Sequence, residues 1–154
     1  MSVKAVPDEN QVITPYLCVD GGEAAIDFYV SVLGATERMR MAAPGGKIAH
    51  AELRIGNSVF MLADEFPEMG FHGPKTVGGT PITLYVYVED VDAVFAEAVA
   101  RGANELQAVR NEFYGDRTGQ FEDPFGHRWS VSSHVEDVPP EELEKRAKEA
   151  MQSM

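Results

Sequence analysis

Ile13-Thr14-Pro15-Tyr16-Leu17-Cys18-Val19-Asp20 and Ile82-Thr83-Leu84-Tyr85-Val86-Tyr87-Val88-Glu89 are the stretches on which the fold turns. Laid over one another at an offset of 69, from Ile13 to Ile82, they repeat Ile, Thr, Tyr and Val in register, and each closes on an acid. Further on, Gly34-Ala35-Thr36-Glu37 matches Gly102-Ala103-Asn104-Glu105, with the offset slipped by one residue. Ile55-Gly56-Asn57-Ser58-Val59 then matches Phe125-Gly126-His127-Arg128-Trp129 as a turn feeding a final strand. Two copies of one module are the economical explanation of three correspondences in the same order.

Each copy has the same local texture. Residues 13–19 and 82–88 are β-rich with period two and lead into an acidic turn, so they read as strands. From Glu23 to Leu33, the residues Ala25, Ile26, Tyr29, Val30 and Leu33 fall at helical spacing; Val91, Val94, Phe95 and Val99 do so between Val91 and Ala100. Gly34 and Gly102 stand where a helix takes a left-handed C-terminal residue. Ala49, Ala51, Leu53 and Ile55 then alternate with His50, Glu52 and Arg54, and Gly56-Asn57 turns the chain into Val59-Phe60-Met61-Leu62. In the second copy Asp123-Pro124-Phe125-Gly126 makes the turn between Gln120-Phe121-Glu122 and Trp129 to Ser132.

The expected class is therefore α+β, built from two modules of order β-α-β-β with room for one more strand, at about 12–64 and 81–134 within a single domain. A Gly/Pro-rich loop at 65–80 joins them, and a C-terminal helix at 139–152 follows Pro139-Pro140. That helix carries Glu141/Lys145, Glu142/Arg146 and Glu144/Lys148 at i,i+4 and an apolar stripe of Leu143, Ala147, Ala150 and Met151. Packing on its own domain and packing on a partner subunit are both open.

Composition narrows the function. At 154 residues with 44% apolar and 25% charged, the chain has an ordinary globular make-up, which argues against disorder or a disulfide scaffold. Lys and Arg number 13 against 25 Asp and Glu, a net charge of −12, which repels nucleic-acid phosphates and anionic membrane surfaces. The single cysteine, Cys18, cannot close an intramolecular disulfide, and the N-terminal stretch lacks the apolar core of a signal peptide. A cytoplasmic protein without nucleic-acid or membrane partners is expected. No nucleophile dyad, phosphate-cradling glycine loop or zinc-finger spacing occurs.

Three strings, ITPYLCVDGGEAAIDFYVSVLGA, IAHAELRIGNSVFMLAD and YGDRTGQFEDPFGHRW, carry a resemblance over about residues 12–134. The chain resembles the vicinal oxygen chelate superfamily, and within it the small glyoxalase/bleomycin-resistance-like proteins. The resemblance implies that each module has the full βαβββ order and curls its sheet, with the helix on the convex side and a ligand cleft on the concave side, and that the chain forms a homodimer. Metal-dependent relatives hold one divalent ion with His and Glu from four strand positions. Anchored on the acids and turn glycines, those positions fall here on Thr14, Phe60 (or Met61, one register off), Thr83 and Ser130. Lone hydroxyls and a phenyl ring are poor ligands, so no metal and no cofactor are expected.

Alternation then sorts the candidate ligand-binding residues. Tyr16, Cys18, Tyr85 and Tyr87 are assigned to the cleft with Thr14 and Thr83, whereas Ile13, Leu17, Val19, Ile82, Leu84, Val86 and Trp129 go to the helix side. His50, Glu52, Phe60 and Gln120 join the cleft from the hairpins, and Phe113, Tyr114 and Arg117 from a rim segment. Aromatic walls with hydroxyl tips suit planar or amphipathic small molecules. Arg117 either grips a carboxylate or phosphate or is neutralised by Asp116 beside it. His72, His127 and His134 read as surface histidines.

Three functions follow. The leading one is a metal-independent small-molecule binder of the bleomycin-resistance type, sequestering a cationic or aromatic drug or metabolite. The alternative is a metal-dependent lyase or dioxygenase using His50 and Glu52. Last is a partner-binding protein that docks through its C-terminal helix.

Overall fold

Pro15 has no N–H to donate, so the first sheet ladder starts one residue later, at Tyr16. In the computed structural model, which describes residues 2–8 and 11–154, the elements of the first module are β1 (Tyr16–Val19), α1 (Gly22–Leu33), β2 (Thr36–Ala42), β3 (Ile48–Ile55) and β4 (Ser58–Asp64). A short helix, α2 (Pro74–Val77), stands in the connection. The second module repeats the order as β5 (Thr83–Tyr87), α3 (Val91–Ala100), β6 (Asn104–Asn111), β7 (Asp116–Glu122) and β8 (Arg128–His134), before α4 (Pro140–Gln152). Both first strands are shorter than the β-rich stretches that announce them: Ile13 and Ile82, assigned to the helix side, lie outside the strands and are exposed.

The two sheets have one topology. Their strand orders are β1-β4-β3-β2 and β5-β8-β7-β6, with β1/β4 and β5/β8 parallel and the other pairs antiparallel. The fold is α+β: among the described residues, two four-stranded mixed sheets with four helices including the C-terminal one. Two compact units result: the chain up to Pro81 together with Pro124–Gly126, and Ile82–Asp123 together with His127–Met154.

In the first unit Leu17, Ala51, Leu53, Phe60 and Leu62 form one buried sheet face, and α1 covers it with Ala25, Ile26, Tyr29 and Leu33. Tyr29 meets Phe60 edge-on at 5.6 Å, and Phe125 lies 6.3 Å from the rings of Phe28 and Tyr29. Full burial of side chains this size contributes about 1.5–3 kcal/mol each. In the second unit Phe121, Trp129 and Val131 are buried, Phe95 of α3 meets Phe121 at 6.2 Å, and the Trp129 indole N–H donates to Asp123 Oδ2 at 2.9 Å.

Each helix is tied at its start to the last strand of its module. α1 has no side-chain cap of its own; Asp64 at the end of β4 accepts from Gly21 N and Gly22 N, both at 2.8 Å, and from Ile48 N at 2.7 Å. In the second module the equivalent residues are Ser133 and Val91, and Ser133 Oγ accepts from Val91 N at 3.1 Å while donating to Val88 O at 2.7 Å. Glycine at position 22 is required, because a Cβ there would lie 2.7 Å from Asp64 Oδ2 and 2.8 Å from Ile48 Cβ.

The 65–80 connection, expected as an open loop, is partly ordered by α2, a 3-10 turn at Pro67–Met69 and an antiparallel bridge between Phe66 and Phe71. Past β8, Val135 N and Glu136 N both donate to Gly115 O. Gly115 has φ +104°, and a Cβ there would lie 2.1 Å from Glu136 O. Arg146 of α4 reaches back to Phe113 O at 3.1 Å and to both Glu136 oxygens at 2.8 and 2.9 Å. Leu143, Ala147 and Ala150 are half-buried, and Met151 is exposed. Among the described residues no helix is long and apolar enough to cross a membrane.

Candidate functional site

Strand parity leaves each sheet one face turned away from its helix, and the polar and aromatic candidates collect there. In the first unit, cross-strand partners run Tyr16–Met61–Glu52–Met39 through all four strands, with His50 opposite Met41 one row away. Tyr16 OH lies 2.7 Å from His50 Nδ1, His50 Nε2 lies 3.1 Å from Glu52 Oε2, and Arg38 pairs with Glu52 Oε1 at 3.6 Å. The Tyr16 ring is 47% exposed and is braced edge-on by Phe71 at 5.6 Å and His50 at 5.4 Å. Burial raises its phenol above the ordinary tyrosine value, and the charges of Cys18 and Glu52 add to this. Cys18 is buried, and its thiol is pushed up to about 11, first by burial and then by Glu65, Asp64 and Asp20. That environment favours the thiol over the reactive thiolate.

Phe60 must be reassigned. It packs against Tyr29 of α1 on the helix side, so it does not share the face of Tyr16 and Glu52; its neighbour Met61 does. A run of four apolar residues, Val59 to Leu62, carries no alternation from which the parity could be read. Of the methionines on this face, Met61 is expected only as the off-register alternative to Phe60, and Met39 and Met41 carry no expectation because thioethers read as ordinary core side chains.

In the second unit the equivalent row is Tyr85–Ser130–Gln120–Gln107, followed by Tyr87–Ser132–Thr118–Arg110. Around the second row a hydrogen-bond network centres on Asp116, which is buried. Its Oδ2 accepts from Tyr85 OH at 2.5 Å and Tyr87 OH at 2.9 Å, and its Oδ1 lies 2.9 Å from His134 Nδ1. Thr118 Oγ1 meets Ser132 Oγ at 2.7 Å, Tyr85 and Tyr87 pack with ring centres 5.4 Å apart, and Tyr114 hydrogen-bonds Tyr85. Phe113 stands perpendicular to Tyr114 at 5.3 Å. Burial works to raise the Asp116 carboxyl, but the bonds from Tyr85, His134 and Tyr87 outweigh it and hold it below the ordinary value. Tyr85 is raised by burial and then by Asp116; for Tyr87 the Asp116 bond comes first.

Two expectations change here. Arg117 does not share this face: it forms a two-pronged pair with Asp92 of α3, at 2.9 Å for both bonds, and also donates to Asn111. Asp116 therefore serves the tyrosines and does not neutralise Arg117. His134, expected as a plain surface histidine, joins the network, its Nε2 lying 2.7 Å from Asp137 Oδ1. Carrying the alternation of Thr118 and Gln120 back two residues to Asp116 is the signal that finds this cluster.

Carboxylates on both ring nitrogens accept and do not donate, so both nitrogens of His134 carry protons. The bonds to Asp116 and then Asp137 raise it above the ordinary imidazole value of about 6.5. A raised folded-state value adds stability that is full below that ordinary value and fades as pH climbs through the raised one. Asp116, held low, contributes in the opposite sense, losing its share only as pH falls through its lowered value. Between pH 6 and 9 the urea midpoint of the protein is therefore expected to decline relative to that of His134→Gln. Parallel curves for the two proteins would count against the charged imidazole.

The four places where metal-dependent relatives hold an ion do not suit one. Thr14 Oγ1 donates to Gln11 O at 3.1 Å, Met61 replaces Phe60 on the relevant face, and Thr83 and Ser130 offer neutral hydroxyls. Among the described residues no three or more His, Cys, Asp or Glu gather as a metal site. The donor set does not fit a divalent ion.

The model of one protein family matches residues 10–131 and is described as the Glyoxalase/Bleomycin resistance protein/Dioxygenase superfamily. The chain belongs to this superfamily. Mb0911c of Mycobacterium bovis is 42% identical to it over 135 residues, covering 86% of this chain and 89% of that one. An X-ray structure of the Arabidopsis thaliana At5g48480 product superposes with a TM-score of 0.66 at 27% identity, over 79% of this chain and 98% of the other. TioX from Micromonospora sp. ML1 superposes at 0.62 with 29% identity, over 82% and 100%. Superfamily membership carries the duplicated module; the chemistry on the sheet faces belongs to this chain's own residues.

Proposed function

We propose that this superfamily member binds a small organic molecule, cationic or aromatic, without a metal ion, and holds it without transforming it, as a homodimer. One observation carries the reading. On the helix-free face of each sheet, tyrosine, thioether and hydroxyl side chains stand side by side across the strands: Tyr16 and Met61 in the first unit, Tyr85 and Ser130 in the second. Half-exposed tyrosines offer flat area at low entropic cost, and methionines adapt to irregular shapes. In a lyase or dioxygenase, a metal on His50 and Glu52 would have to displace Tyr16 from Nδ1 or Glu52 from Nε2.

Elemental analysis joined to native mass spectrometry of the protein as purified tests this directly. Expected are dimers with less than about a tenth of an equivalent of any divalent metal, and co-purifying small molecules recovered chemically unchanged. Near one equivalent of Zn, Ni, Fe or Mn overturns the reading, as does loss of that metal in His50→Ala together with a loss of turnover.

A further inference from the structure

The hydrogen-bond chain on the first sheet has a direction. Glu52 Oε2 accepts, so His50 Nε2 carries the ring proton; in the neutral imidazole Nδ1 is then bare and takes the phenolic proton of Tyr16 across 2.7 Å. Arg38 on Oε1 keeps the other end of the carboxylate occupied. Burial raises the Tyr16 phenol further above a value that already leaves tyrosine protonated at neutral pH, so Tyr16 is not a ready nucleophile. With its one proton committed inward, its oxygen turns only lone pairs outward. The repeat partner Tyr85 also commits its proton within the fold, to Asp116 at 2.5 Å. Two modules thus hold a tyrosine at equivalent positions by different acceptors, but the Tyr85 oxygen is also engaged by Tyr114 and Thr118.

The geometry assigns to Tyr16 a specificity-determining role: its oxygen accepts a hydrogen bond from a ligand N–H, and the class it selects is a protonated aryl-alkylamine over an aryl carboxylate. This rests on the metal-free binding reading. The net charge of −12 favours a cation over an anion, the exposed part of the Tyr16 ring adds cation–π attraction, and Met61 beside it is apolar enough for an aryl group. A carboxylate would set its lone pairs against those of Tyr16.

Phenethylamine and phenylacetate share a ring and a two-atom arm and differ in polarity, which makes them the probes. Titrated by calorimetry at pH 8, the native protein is expected to prefer phenethylamine by about tenfold or more. Tyr16→Phe, at a half-exposed position, should keep its melting temperature and lose about tenfold in phenethylamine affinity. His50→Leu is the decisive variant: it frees the phenolic proton to donate, so the preference should shift toward phenylacetate by about fivefold or more. A merely structural His50 would weaken both probes equally. Unchanged affinity in Tyr16→Phe, an unchanged preference in His50→Leu, or no saturable binding of phenethylamine overturns the inference. Metal content or turnover in the same samples reports separately on the reading beneath it.

Discussion

Replacing Asp64 with alanine is expected to lower the unfolding free energy by about 3–5 kcal/mol, because three backbone amides lose their acceptor together. Gly21 N and Gly22 N open α1 and Ile48 N opens β3, and all three converge on one carboxylate at 2.7–2.8 Å. α1 has no side-chain cap at its own N-terminus, so nothing local replaces the lost anion where the helix dipole is positive. A buried amide without a partner costs about 1–3 kcal/mol, and water reaches the Gly21 amide more easily than the other two. Urea denaturation of Asp64→Ala, Asp64→Asn and Ser133→Ala measures this. The asparagine, keeping one acceptor oxygen, should lose less than the alanine, and Ser133→Ala, removing one amide acceptor, should lose about 1 kcal/mol. A loss under about 1 kcal/mol in Asp64→Ala would show that the amides find other partners.

Asp116→Ala should cost about 3 kcal/mol and change the titration of its neighbours. The substitution takes the shared acceptor from two partly exposed phenols and one face of a charged imidazole and leaves a gap at a buried position. Tyr87 owes its raised value first to Asp116, and His134 likewise, so both should move back toward their ordinary ranges. Tyrosinate absorbance should then appear at lower pH in Asp116→Ala than in the native protein, and the His134 resonance should titrate at lower pH. Native-like titration of both in a folded variant would mean that Asp116 does not organise the network. Asp116→Asn, which keeps an acceptor oxygen but no charge, separates hydrogen bonding from electrostatics: it should spare more stability than it spares the His134 shift.

The duplication was legible because both copies keep the residues that terminate elements. The acid after the first strand, the glycine after the helix and the glycine in the hairpin turn act locally, and local chemistry shows in local sequence. The same holds for α1 and α3, whose apolar spacing set their bounds within a residue. The parity of Phe60 was not legible, since Val59 to Leu62 is apolar throughout and either phase fits. Arg117 sits one residue from a ligand-face position and so belongs to the opposite face, where Asp92 of α3 waits; a partner 25 residues away is invisible to spacing.

Composition, repeat and periodicity by themselves determined that this chain is a duplicated α+β module, and the resemblance carried by three of its stretches placed it with the glyoxalase type. Those conclusions depend on residue identity and short-range order. Only the tertiary structure decided that Tyr16 leans on His50 and His50 on Glu52, that Asp116 gathers two tyrosines and His134, and that Met61 displaces Phe60 from the exposed face. Each of those facts is a pairing across strands, set by sheet register and by which face the helix claims. Register is fixed by the sum of many packing contacts, and no single stretch of sequence contains it.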